Sequence, residues 1–126
     1  MPPSFNPRLL FEPRWRPTWL ALLAVLVAVV SWFAFKPDSA ADPVAHLDKL
    51  RHIGAFLCLA AVASMAWAAR PGAAPSISGS LLAYGALIEL VQSQLPTRSA
   101  SLADLVADAL GIALGLWLVR SLRNRL

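Results

Sequence analysis

"ISGSLLAYGALIELVQSQLPTRSASLADLVADALGIALGLWLV" (77–119) holds two long apolar runs joined by a short polar turn, with three acids set inside the runs. A transmembrane helix needs roughly 17–25 mostly apolar residues, because each adds about 1.5 Å against a hydrocarbon core about 30 Å thick. By that measure 77–95 and 102–119 are both spans, and "PTRSAS" (96–101) is the turn between them. Two more runs qualify toward the N-terminus, "TWLALLAVLVAVVSWFAF" (18–35) and "IGAFLCLAAVASMAWAA" (53–69). The predicted fold is an all-α membrane protein, a four-transmembrane-helix bundle whose even number of spans puts both termini on one side.

Composition agrees. The 126 residues are 58% hydrophobic and 14% charged, against roughly 45–50% and about 25% in soluble domains. The net charge of +4 sits in short clusters beside apolar runs without any nucleic-acid motif, so nucleic acid is not an expected partner. A single cysteine, Cys58, excludes a disulfide framework or a multi-cysteine metal site within one chain.

The connection "RPGAAPS" (70–76) reads as a tight turn, and 36–52, with Pro37 and Pro43, has room for an interfacial helix. Residues 1–17 form a proline- and arginine-rich tail that suits an irregular or surface-lying segment. Residues 18–119 are the transmembrane domain and 120–126 a basic C-terminal tail. The first apolar run exceeds the ~7–15-residue core of a signal peptide and is read as a retained span. Direction follows from the bases, because cytoplasmic loops retain Lys and Arg. With both termini cytoplasmic, seven bases (Arg8, Arg14, Arg16, Arg70, Arg120, Arg123, Arg125) lie inside and four (Lys36, Lys49, Arg51, Arg98) outside.

Residues three and four apart share a helix face. Asp104, Asp108, Gly111 and Gly115 therefore form one stripe of the fourth span, and Gly85, Glu89 and Gln92 one stripe of the third. Glycines admit a neighbouring helix and a charge facing lipid costs about 2.5–3.5 kcal/mol at mid-bilayer, so both stripes should face the bundle. Gly111 and Gly115 are expected to set the spacing of the third and fourth helices. Glu89 lies roughly 9 Å before the end of its span, level with Asp104 and Asp108, and Asp48, Lys49 and His52 stand at the same end of the second span. Arg98 is in the adjoining turn. A local alternative exists for Asp104, since Ser101-x-x-Asp104 has the spacing of a helix-start capping box.

Around these residues the chain resembles the VanZ-like family of small bacterial integral membrane proteins. "DKLRH" (48–52), "IELVQ" (88–92), Arg98, Asp104 and "DALG" (108–111) are similar to the family's Asp-Lys-x-x-His, Glu-x-x-Gln and Arg-x5-Asp-x3-Asn-x-x-Gly elements, with Asp108 where the family usually has Asn. The resemblance implies a bacterial cytoplasmic-membrane location and a cell-envelope role. Its namesake is linked to resistance to the glycopeptide teicoplanin, and the resemblance supplies no reaction.

The residue pattern leaves three functions open. As a binding module, the outer layer takes a lipid headgroup, a lipid-linked envelope precursor or a lipoglycopeptide, with Lys49 and Arg98 holding phosphate or carboxylate and Gln92, Asp48 and Asp108 completing the site. As an enzyme, Glu89 or His52 is the catalytic base, with Asp104 and Asp108 orienting it. Asp48, His52, Asp104 and Asp108 are able to form a shell for a divalent metal, but their spacing matches no standard motif and no cofactor is predicted. A small transporter ranks third, because the inner halves of the spans offer little polar path beyond Ser78 and Ser80.

Overall fold

The computed structural model describes residues 4–36, 45–96 and 100–126, and the regular structure among them is helical. Two 3-10 turns, Pro7–Phe11 and Pro13–Trp15, precede four α-helices: α1 (Arg16–Phe35), α2 (Ala45–Ala66), α3 (Ala73–Gln92) and α4 (Leu102–Arg125). All four are long and apolar enough to cross a membrane, and the chain is a multi-pass membrane protein. Its outer surface agrees. No residue of α1 is buried, and Val25, Trp32, Leu90, Leu110 and Trp117 are exposed large apolar side chains, a surface matched by acyl chains rather than water.

The centre is α2, which contributes Phe56, Leu59, Ala60 and Ala63 to the core, against Ile77, Leu81 and Ile88 from α3 and Ile112 from α4. Residue pairs fix the directions. Lys49 meets Asp104, His52 meets Asp108 and Ala68 meets Arg123, numbers rising together, so α2 and α4 run parallel. Tyr84 meets Val27 and Gln92 meets Ala34, so α1 and α3 also run parallel. Glu89 meets Ser101 at the adjacent ends of α3 and α4, which are antiparallel. One end of the bundle therefore carries both chain termini and the 67–72 turn. The other, termed the loop end, carries the end of α1, the start of α2, the end of α3 and the start of α4.

The helix bounds refine the sequence reading. Ala45–His52 is the first two turns of α2 itself rather than a separate interfacial helix, and residues 37–44 lie outside the described residues. Gly72, at φ 72, turns the chain into α3, a backbone state that glycine adopts freely. Pro75 sits in the first turn of α3, where no intrahelical donor is needed. The 120–125 segment continues α4 instead of leaving it. The N-terminal segment folds back, with the Trp19 indole donating to the Leu10 carbonyl at 3.0 Å.

The Gly111/Gly115 stripe does face the bundle, but its neighbour is α2, which corrects the expectation that these glycines space α3 from α4. A Cβ on Gly111 would collide with the Ile53 carbonyl oxygen and reach the Leu57 nitrogen at 3.0 Å. One on Gly115 would lie 2.5 Å from the Leu57 carbonyl oxygen. These are backbone atoms of a helix and cannot swing aside, so the two glycines determine how closely α2 and α4 pack. Gly111→Ala should destabilise the protein by about 1–3 kcal/mol through overpacking. Gly79, with nothing within 4 Å of its would-be Cβ, is the control: Gly79→Ala should be neutral or stabilising by up to about 1 kcal/mol. Denaturant unfolding in detergent checks this, and equal shifts for the two variants would contradict the close crossing.

Candidate functional site

The close α2–α4 crossing places a polar layer just on its loop-end side. Asp48, Lys49 and His52 occupy successive turns of α2, and Asp104 and Asp108 occupy successive turns of α4. The Asp108 carboxylate is fully buried, and its Oδ1 lies 2.7 Å from His52 Nδ1. An ionised Asp108 accepts the Nδ1 proton, which leaves Nε2 on the side of Asp104, 4.0 Å from Asp104 Oδ2. Asp104 in turn accepts from Lys49 Nζ at 3.2 Å. Lys49, Asp104, His52 and Asp108 thus form a polar layer that runs from the loop-end surface into the core, with hydrogen bonds at the Lys49–Asp104 and His52–Asp108 pairs.

From α3, Glu89 closes the third side. Its Oε2 accepts the backbone N–H of Ser101 at 2.8 Å. Ser101 is the N-cap of α4, and its side chain makes no cap hydrogen bond. In a capping box the acid three residues on takes the N-cap amide. Here an acid from the neighbouring helix does so, and Asp104 is left to Lys49 and His52. The local capping-box alternative for Asp104 is therefore set aside.

Gly85, one turn before Glu89, makes room for Asp108. A Cβ at Gly85 would lie 2.6 Å from Asp108 Oδ2 and 3.3 Å from Phe56 Cζ. That Oδ2 and Glu89 Oε1 are both buried and have no hydrogen-bond partner among the described residues. Two sets of side chains present ligand atoms within 4.8 Å of one another: Asp48 with His52 and Asp104, and His52 with Glu89 and Asp108. The second differs from the shell expected from sequence by bringing in Glu89.

The structure thus gathers Asp48, Lys49, His52, Glu89, Asp104 and Asp108. Gln92 is buried nearby, but its amide nitrogen donates to the Ala34 carbonyl at 3.0 Å and ties α3 to the end of α1. Arg98 lies outside the described residues. Sequence reasoning passed over a second tie between α1 and α3: the Tyr84 hydroxyl sits 2.6 Å from Ser31 Oγ and donates to the Val27 carbonyl at 3.2 Å. The signal was there, since Tyr84 is the chain's one tyrosine and a hydroxyl deep in a span needs a partner.

A family model described as VanZ/LLP1 matches residues 13–123, which takes in α1 to α3, α4 up to Arg123 and every residue of the polar layer. No curated protein and no solved structure matches the chain.

The Gly85 contact makes a prediction. The atom a new Cβ would strike is the end of a side chain, so the bundle should survive Gly85→Ala while the Asp108 carboxylate is pushed off His52. Gly85→Ala should destabilise the protein by about 1–3 kcal/mol, and most of that loss should vanish in an Asp108→Ala background, because contacting residues couple. Unfolding measurements on the four proteins of this cycle check it. Strict additivity would mean that Gly85 and Asp108 do not touch.

Proposed function

The chain belongs to the VanZ/LLP1 family, and on that footing we propose that its loop-end layer faces outward from the bacterial cytoplasmic membrane and binds or modifies a polar group of a cell-envelope component. Graded burial carries this reading. Side-chain exposure falls from 44% at Lys49 through 13% at His52 and 7% at Asp104 to 0% at Asp108. The most exposed of these four side chains, Lys49, is on the loop-end side, the side from which a lipid headgroup or a lipid-linked precursor at the membrane surface would approach. Intramembrane ionisable groups are costly to keep, which favours a role in function over one in stability.

The charge of the layer indicates the kind of group. Among the described residues that the structure gathers here, Asp48, Glu89, Asp104 and Asp108 outnumber Lys49 and His52, and Lys49 is paired with Asp104. Carboxylates accept hydrogen bonds, so the layer suits a donor-rich group such as the hydroxyls and amides of a sugar–peptide headgroup. The outward orientation rests on the excess of arginine at the termini end, where Arg16, Arg70, Arg120, Arg123 and Arg125 gather.

Two tests apply. A cysteine at exposed Ala100, in a Cys58→Ala background, should react with an impermeant maleimide in intact cells; reaction only after the membrane is opened would turn the site toward the cytoplasm. Glu89→Gln and Asp104→Asn should each abolish the envelope phenotype of a deletion strain's complementation at normal protein abundance, and the double variant should do little more, since linked groups are non-additive. Full complementation by both single variants would leave these acids as framework.

A further inference from the structure

We propose that His52, Glu89 and Asp108 hold a divalent first-row transition-metal ion, of the Zn2+ or Mn2+ class, at the floor of the polar layer. The three side chains come from three different helices, α2, α3 and α4, and present ligand atoms within 4.8 Å of one another. The second observation is independent of that clustering. Glu89 is 8% exposed and Asp108 0%, and each has one carboxylate oxygen satisfied and one buried without a partner among the described residues: Glu89 Oε1 and Asp108 Oδ2. Of the other two oxygens, Glu89 Oε2 accepts the Ser101 amide and Asp108 Oδ1 faces His52 Nδ1, whose proton is released when the ring ligates the ion through that nitrogen.

A buried carboxylate oxygen without a donor is costly, and two in one place are costlier still, because their charges repel. A shared proton relieves the repulsion but supplies one hydrogen between two acids. A divalent cation neutralises both charges and occupies both free oxygens. Gly85 is consistent with that use, since it keeps a methyl group out of the space beside Asp108 Oδ2.

The donor set selects the ion. Imidazole suits Zn, Fe, Ni and Cu, whereas carboxylates suit Mg, Ca and Mn, so one imidazole with two carboxylates favours ions that accept both, Zn2+ and Mn2+ foremost. Three protein ligands are fewer than either ion takes, which leaves a position for water or for a ligand arriving through the layer. The neighbouring set of Asp48, His52 and Asp104 fits less well. Asp104 Oδ1 there already faces the Lys49 ammonium at 3.2 Å, a fixed positive charge that repels a metal, and no oxygen of that set is both buried and unpartnered among the described residues.

This assignment rests on reading the polar layer as a site, and it can fail separately from the envelope role. The full chain in lipid nanodiscs would be stripped with EDTA, loaded with Zn2+ or with Mn2+ alone, desalted, and assayed for metal per chain, with affinity taken from competition against a chelator dye. Wild type should retain one ion. Glu89→Gln and Asp108→Asn should each lose affinity by at least about tenfold, while elution volume and helical circular dichroism show that they remain folded. Asp104→Asn should keep most of the affinity while losing the envelope phenotype, which separates the two claims. If a ligand variant does not fold, wild type still decides, because Mn2+ bound by one imidazole nitrogen gives a 14N coupling in pulsed EPR. No ion retained by wild type would overturn the site and leave a proton shared between the acids. Equal loss of affinity in Asp104→Asn and Glu89→Gln would move the metal to the shallower set and overturn this assignment.

Discussion

Asp108 is a carboxylate with no exposure to solvent, placed where α2, α3 and α4 meet inside a bundle whose outer surface is apolar. Much of the loop-end half of the molecule follows from keeping that one group. An isolated buried carboxylate costs several kcal/mol even after relaxation, so His52 stands opposite it at 2.7 Å. For His52 to reach, α2 and α4 must approach to backbone contact, and Gly111 and Gly115 permit that. For α3 to close the third side without displacing the carboxylate, residue 85 must lack a Cβ. One charge thus accounts for the small residues on two helices and the histidine on a third.

Polarity is arranged the reverse of a soluble domain in this half of the bundle. Exposed Leu, Val and Trp side chains face outward along α1, α3 and α4, and the acids face in. In water such a bundle would bury too little apolar surface to hold its acids together. In lipid the flanks are already solvated, and the inside of the bundle is the best place for a charge. Close contact between helix backbones and interhelical hydrogen bonds then supply the association. The ties of Tyr84 to Ser31 and of Gln92 to Ala34 fasten α1, which has no buried residue of its own.

The sequence was most informative where a helix's own period settles the matter. Asp104, Asp108, Gly111 and Gly115 share a face whatever lies opposite, and the four spans are visible as apolar runs. Spacing along one helix says nothing about which neighbour receives that face, so the sequence pairs the glycines with α3 by adjacency although they meet α2. The Ser101-x-x-Asp104 pattern failed for a related reason. Local geometry allows the capping box, but Glu89, fifteen residues before Asp104 in the chain and adjacent in space, takes the same amide and frees Asp104. The start of α2 is not legible as part of the span because Asp48, Lys49, Arg51 and His52 make its first turns read as a separate interfacial helix. The contacts of Lys49 and His52 with Asp104 and Asp108 of α4 appear only once the helices are packed.

The contact between Asp108 and His52 is the central claim, and it is directly observable. The chain has two histidines, His46 and His52, so the imidazole 15N spectrum of the metal-free protein in nanodiscs resolves to two rings, assignable by a His46→Gln variant. A hydrogen bond from His52 Nδ1 to Asp108 predicts a protonated Nδ1 with a strongly deshielded proton, and Asp108→Asn should move both resonances while leaving those of His46 in place. A His52 ring that titrates like a free imidazole in water and ignores Asp108→Asn would contradict the account at its foundation.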